Sequence, residues 1–398
     1  SRLLDRVDQI GGGGLVSISV LLSTKARPIE LLNARRVLRG FAGESRSRFG
    51  IVMRGEITGR DLGVLAQSPS VLWIEAQAKP GLHDEIASKI VAGGASENQT
   101  NRHATVAQEL GFDGKGLIVA VADSGLNQGP DFDTHPDLKN RVDAYFYYGS
   151  LLDAADQHSH GTHVAGIIAG DGATGETDDT GALYGLGIAP KAHLVVQRIF
   201  DGGGGYEAPS SFAKLTRDAV WAGAVIGCNS WGDDTQGRYD INAMEFDALV
   251  RDADPEIPGD QPYVIEFSAG NAGPGRQTIG TPAVGKNVIA VGASQNNRRS
   301  FPVYADGMES MADLSSRGPC EDGRIKPDLV APGTWVASLR SAAAGEQNAW
   351  LPISADYIYL GGPSQSAPSV AGARAVFAQY YRQPHGNAPP SPAHVKAA

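Results

Sequence analysis

The sequence predicts an α/β protein with a mostly parallel sheet covered by helices on both faces, preceded by a small α+β domain. Three observations carry this. From Gly111 onward, short apolar runs alternate with helical segments, the sign of strand–helix–strand crossovers. One run, Leu117–Gly125 (L-I-V-A-V-A-D-S-G), is continuously apolar and closes on a carboxylate and a glycine, as a strand buried on both faces does. Residues 1–80 differ: short strand-like and helix-like stretches carry frequent arginine, at Arg27, Arg35, Arg36, Arg39, Arg46, Arg48, Arg54 and Arg60.

In the first domain, Leu15–Leu22, Phe49–Ile57 and Ser70–Ala76 read as strands, and Pro28–Leu38 and Thr58–Gln67 as helices. Thr58, with Asp61 three residues on, is a helix N-cap signal. The Gly/Ala-rich polar stretch Lys79–Asn101 reads as the linker, with the junction near 78–90, which divides the chain into 1–80 and 81–398. In the second domain strands are expected at Leu117–Asp123, Leu194–Ile199, Val225–Trp231, Tyr263–Ala269 and Asn287–Ala293. Helices are expected to open at His160 and at Ser364, and to span Pro209–Ala224.

Composition narrows the function. Apolar content of 41% and charged content of 20% describe an ordinary globular protein. The net charge of −10 argues against nucleic acid as a partner. No apolar run approaches the roughly 18 residues a membrane span needs. Two cysteines, Cys228 and Cys320, exclude a disulfide framework.

Chemistry gathers in three stretches. Gly361–Gly372 reads G-G-P-S-Q-S-A-P-S-V-A-G and runs into an apolar helix. Pro363 suits a first helical turn, which places Ser364 among the free N–H groups of a helix N-terminus. Pro368 should leave the Ser364 carbonyl without its helical donor. Asp156–Gly170, D-Q-H-S-H-G-T-H-V-A-G-I-I-A-G, is a histidine-rich helix entry. The third stretch is the strand that ends on Asp123. The residues follow in the order Asp…His…Ser known from subtilisin.

With D-S-G, H-G-T-H-V-A-G, G-P-S-Q-S-A-P-S-V-A-G and the segment Phe267–Pro274 (F-S-A-G-N-A-G-P), the chain resembles the subtilisin-like serine proteases, the subtilase family. The resemblance implies a three-layer subtilisin-like fold and a serine endopeptidase acting through an acyl-enzyme. It implies Ser364 as nucleophile, His160 as base, Asp123 as its orienting partner and Asn271 as oxyanion donor. It places Ser230, Trp231 and Gly232 on one wall of the substrate pocket, with Ser268, Ala269 and Gly270 lining the site before Asn271. Gly203, Gly204 and Gly205, inside D-G-G-G-G-Y, fall where the family has a second substrate-flanking strand; taken without the resemblance they are a flexible loop.

Residues 1–80, ending in D-L-G-V-L-A-Q-S-P-S-V-L-W-I-E, are similar to subtilase propeptides. That implies a ferredoxin-like α+β domain acting as chaperone and intramolecular inhibitor, hence a self-inhibited proenzyme. Within the family the likeness is to the larger, oxidatively stable alkaline subtilases, through N-S-W-G, S-S-R-G-P, G-R-I-K-P-D and A-P-G-T. Most subtilases have methionine directly after the catalytic serine. Here Gln365 offers no thioether to oxidise. The implied protein is a secreted monomer acting on polypeptides, with no signal peptide in this chain and no cofactor for its chemistry. Structural calcium is an option offered by Asp171–Thr180 (D-G-A-T-G-E-T-D-D-T), but the pattern departs from the family's usual loop and reads first as a solvated acidic loop. The alternative enzyme class is a metal-dependent hydrolase using His158, His160 and His163, with Asp156 as a further ligand.

Overall fold

The computed structural model describes residues 14–47, 50–76, 87–93, 103–132, 134–179, 181–298, 301, 307–345 and 349–398. The chain divides into two compact units, 1–81 and 82–398. Most of the expected linker, Lys79–Asn101, lies outside the described residues, as do Phe49 and Thr180.

In the first unit, strand β1 (Leu15–Leu22) is followed by helix α1 (Pro28–Val37), β2 (Arg39–Ser47), β3 (Gly50–Thr58), α2 (Gly59–Ala66) and β4 (Val71–Ala76). The sheet runs β2-β3-β1-β4 with antiparallel pairs throughout, the ferredoxin-like βαββαβ arrangement. Val16, Ile18, Val20 and Leu22 alternate along β1 into one core with Ile51, Met53 and Ile57 of β3. Thr58 caps α2 as expected, its side chain accepting from the Asp61 N–H. Strand β2 was not anticipated: R-G-F-A-G-E-S-R-S has no apolar alternation and is held as an edge by its pairing with β3.

The second unit begins with two short helices, α3 (Ala87–Ala92) and α4 (Val106–Glu109), then β5 (Ile118–Asp123), β6 (Val142–Tyr147) and α5 (His160–Ala169). There follow β7 (His193–Arg198), α6 (Phe212–Trp221), β8 (Ile226–Asn229), α7 (Ile241–Leu249), β9 (Val264–Ser268), β10 (Ile289–Ser294) and β11 (Leu329–Pro332). A small antiparallel sheet of β12 (Val336–Leu339), β13 (Leu351–Pro352) and β14 (Tyr357–Leu360) leads into α8 (Pro363–Arg382), and α9 (Pro392–Ala397) comes last.

The main sheet is parallel, in the order β11-β10-β9-β8-β5-β7-β6. Alternation along β5 explains its two covers. Val119 and Val121 face α5 and α8, in a core with Val164, Ile168, Val370 and Ala375. Ala120 faces the other way, in a core with Ala219 of α6 and Phe246 of α7. The helix expected over 209–224 is shorter, because Ser211 caps it by accepting from the Lys214 N–H. The strand expected over 225–231 ends at Asn229, and its next residue is bound instead to the start of α8.

Candidate active site

In a parallel sheet functional residues gather at the carboxyl ends of the strands. Here β9, β8 and β5 lie side by side. Their ends bring together Ser268, Asn229–Ser230 and Asp123, while α5 and α8 pack against each other and start at His160 and Pro363–Ser364.

His160 Nδ1 donates to Asp123 Oδ1 at 2.8 Å, which leaves Nε2 as the basic nitrogen. Asp123 is 2% exposed, whereas the His160 side chain keeps 24% of its surface open to solvent. Burial works against the imidazolium. The Asp123 charge and hydrogen bond outweigh it and hold the His160 pKa above the ordinary histidine range.

The backbone is shaped to allow this contact. Ser159, just before α5, has φ of 76°, a left-handed conformation that costs a non-glycine residue energy. It is held there by its N–H to Asp156 Oδ1 at 2.8 Å and by the Ser341 N–H to its hydroxyl at 3.0 Å. Gly161 comes so close to the turn after β5 that an added Cβ would lie 2.4 Å from the Gly125 carbonyl. Asp156 ties the turn together, accepting from the Ser124 hydroxyl, from the N–H groups of His158 and Ser159, and from the Thr162 N–H and hydroxyl.

These commitments correct the metal alternative. Both Asp156 oxygens are engaged by the protein. His163 is fully buried and directs Nε2 to the Val336 carbonyl at 3.0 Å, and burial pushes its pKa down to about 3. In the acidic loop, described over 171–179, two carboxylates are likewise engaged by the protein. Asp171 is ion-paired with Arg141 at 3.2 Å and Asp178 accepts from the Ala182 N–H at 2.9 Å. Among the described residues no group of three His, Cys, Asp or Glu side chains is placed to hold an ion.

Ser364 sits in the first turn of α8, partly exposed, after Gly362 with φ of 144°. A Cβ on Gly362 would lie 3.2 Å from Asn271 Oδ1, so glycine is what lets that amide approach the serine turn. The carbonyl of Ser364 is freed by Pro368 and takes the Ser230 hydroxyl at 2.8 Å. In return the Ser364 hydroxyl donates to the Ser230 carbonyl at 3.2 Å. The neighbouring serines are not open to chemistry: Ser366 and Ser369 are buried and donate to the carbonyls of Ala331 and Gln365. Gln365 is itself buried.

Ser364, Asn271, Ser230, Gly232, Ser268 and Gly270 line one pocket of about 340 Å³, and Trp231 and Ala269 also border it. The indole of Trp231 packs into an aromatic cluster with Phe212, Phe246 and Phe267, 5.1 Å from the last. Gly203–Gly205 do not form the expected flanking strand. They make a tight turn on Asp201, whose Oδ1 accepts from the N–H groups of Gly203 and Gly205 at 2.8 and 2.7 Å. Four glycines favour closing on a nearby carboxylate over extending.

Sequence reasoning also missed Ser316. Its hydroxyl accepts from the Ala272 N–H at 3.0 Å and fixes the turn that presents Asn271. The phrase S-S-R-G-P was the available signal, read only for its likeness.

The family model described as "Subtilase family" matches residues 114–398. Serine protease AprX of Bacillus subtilis (strain 168) is 30% identical over 285 residues, which are 67% of this chain and 58% of the relative. An alkaline protease of Alkalihalobacillus alcalophilus is 28% identical over 336 residues, 82% of this chain and 69% of the relative. Subtilisin Savinase of Lederbergia lenta is 29% identical over 284 residues, 69% of this chain and 81% of the relative. A solved structure, the S41 psychrophilic protease, superposes with a TM-score of 0.53 at 23% identity. It covers 80% of this chain and 89% of its own, a likeness of fold.

Proposed function

The chain belongs to the subtilase family, and on that premise we propose that it is a serine endopeptidase working through Asp123, His160 and Ser364. The observation that carries this is the His160–Asp123 pair at 2.8 Å at the end of β5, beside β8, after which Ser230 exchanges hydrogen bonds with the helix-terminal Ser364. The Ser364 hydroxyl, released from the Ser230 carbonyl it holds at rest, gives its proton to His160 Nε2. The oxygen then attacks the substrate carbonyl, and the negative charge that develops is met by the Asn271 amide and the Ser364 N–H. His160 returns the proton to the leaving amine as the C–N bond breaks. Water, activated by the same histidine, releases the acyl group. No cofactor enters these steps.

A fluorophosphonate should form a covalent adduct on Ser364, at a rate that follows the ionisation of His160. The neutral imidazole is the base, so labelling rises with pH. Because Asp123 raises the His160 pKa, the midpoint should lie above the reference value of about 6.5. Rates against pH, with the adduct located by peptide mass, check this. Absence of an adduct overturns the triad, and a profile flat down to about pH 4 removes His160 as the base.

We also read residues 1–80 as the inhibitor and folding aid of residues 81–398, which makes the protein a proenzyme. A compact ferredoxin-like unit ahead of the catalytic one supports this, as does the propeptide-like run through Glu75. Self-inhibition suits release after export, so we place the monomeric protease outside the cell, acting on polypeptides. A separate 1–80 polypeptide should inhibit the processed enzyme and speed its refolding. A fragment that does neither makes this unit an accessory domain.

A further inference from the structure

We infer that the pocket beside Ser364 takes a basic side chain, lysine or arginine, on the residue whose carbonyl is cut, and that Asp233 and Asp234 select it. This rests on the serine endopeptidase function proposed above. The flanking walls, 230–232 after β8 and 268–270 at the end of β9, are built of serine, alanine and glycine around the aromatic anchor Trp231. Such walls admit an aliphatic stem without specifying what stands at its end. About 340 Å³ is ample for a long side chain.

Two carboxylates specify that end. Asp233 and Asp234 both line the pocket and both are exposed. Asp233 is fixed there by a two-way backbone bridge to Thr281, with N–H to carbonyl distances of 2.9 Å in each direction. Each carboxylate spends one oxygen locally: Asp233 Oδ1 accepts from the Asp234 N–H at 2.9 Å, and Asp234 Oδ1 from the Gln236 N–H at 3.1 Å. Among the described residues neither is in an ion pair, and none of their cations competes for this charge.

The pocket has a further unspent acceptor. Ser268 is 6% exposed at its wall, and among the described residues its hydroxyl has no hydrogen-bond partner. An ammonium or guanidinium in the pocket supplies donors to all three. An apolar side chain would strip water from both carboxylates and return nothing, and an acidic one would be repelled.

The test is a set of peptides differing only at the residue whose carbonyl is cut: Lys, Arg, Leu, Phe or Glu. Rates are normalised to sites titrated with fluorophosphonate. Lysine and arginine peptides should exceed leucine and phenylalanine ones in kcat/KM by about tenfold or more, with glutamate slowest. In the double variant Asp233→Asn/Asp234→Asn the Lys-to-Leu ratio should fall by about tenfold, and asparagine keeps the local backbone acceptors. The parent's own preference needs no variant to fold. If the parent favours leucine or phenylalanine, or the ratio is unmoved in a fully titrated double variant, the basic pocket is refuted and the endopeptidase stands. If no site titrates and no peptide is cut, both fall.

Discussion

Ser364→Ala is expected to leave a folded protein whose kcat has fallen by on the order of 10⁶-fold, the loss known for subtilisin, itself a member of this family. The size follows from what is removed. Alanine has no oxygen to attack the carbonyl, so the acyl-enzyme is lost, and only substrate binding and the oxyanion donors are left to assist water. The cost in stability should be small. The substitution deletes the hydroxyl's bond to the Ser230 carbonyl at 3.2 Å but keeps the bond from the Ser230 hydroxyl to the Ser364 carbonyl. A typical net hydrogen bond is worth about 1 kcal/mol. Hydrolysis of casein and a thermal melt, run side by side, check both halves. His160→Ala should be nearly as damaging, and the two together little worse than either, because they act as one unit. A Ser364→Ala protein that cuts at near the parent rate would exclude Ser364 as the nucleophile.

The candidate site was legible because its residues lie at element ends with short-range signatures. The strand through Asp123 is buried on both faces, so nearly every residue of it is apolar and the carboxylate at its end stands out. The Gly–Gly–Pro entry to Ser364 is likewise local geometry written in residue type. What escaped depends on partners outside the local motif, near or far along the chain. Ser230 takes up the carbonyl of a residue 134 positions away. Asp156 looked like a loose ligand until Ser124 and Thr162 were seen to converge on it. Elements failed in the same way. Strand β2 is arginine-, glycine- and serine-rich and exists through its partner β3. Helix α7 has a local signal, Asp240 accepting from the Ala243 N–H, but its buried face, Ala243, Phe246, Asp247 and Leu249, includes a carboxylate that blurs the periodicity.

The strand V-I-E-F-S holds the clearest such interruption, and it sets the largest expected effect on stability. Glu266, in the middle of β9, is fully buried between Cys228 of β8 and Ile289 of β10. Its partner is Arg374 of α8, with Nε 3.5 Å from Oε2, and another Arg374 nitrogen donates to the Val395 carbonyl. Burial pushes the Glu266 pKa from 4.5 up to about 8, with the Arg374 charge opposing part of the rise. The folded protein therefore binds a proton that the unfolded chain has already lost between about pH 4.5 and 8, and this group's contribution to stability falls as pH rises through that window. Arg374→Met removes the one opposing charge while keeping an apolar stem. It should cost about 3–5 kcal/mol at pH 9, where a bare carboxylate is left in the core, and less at pH 6, where the carboxyl keeps its proton. Adding Glu266→Gln to it should recover most of the alkaline loss. Urea unfolding at both pH values, in the inactive Ser364→Ala background to prevent self-digestion, reads these differences. Equal losses at pH 6 and pH 9, unrelieved by Glu266→Gln, would mean that Arg374 contributes through the packing of its stem and not through its charge.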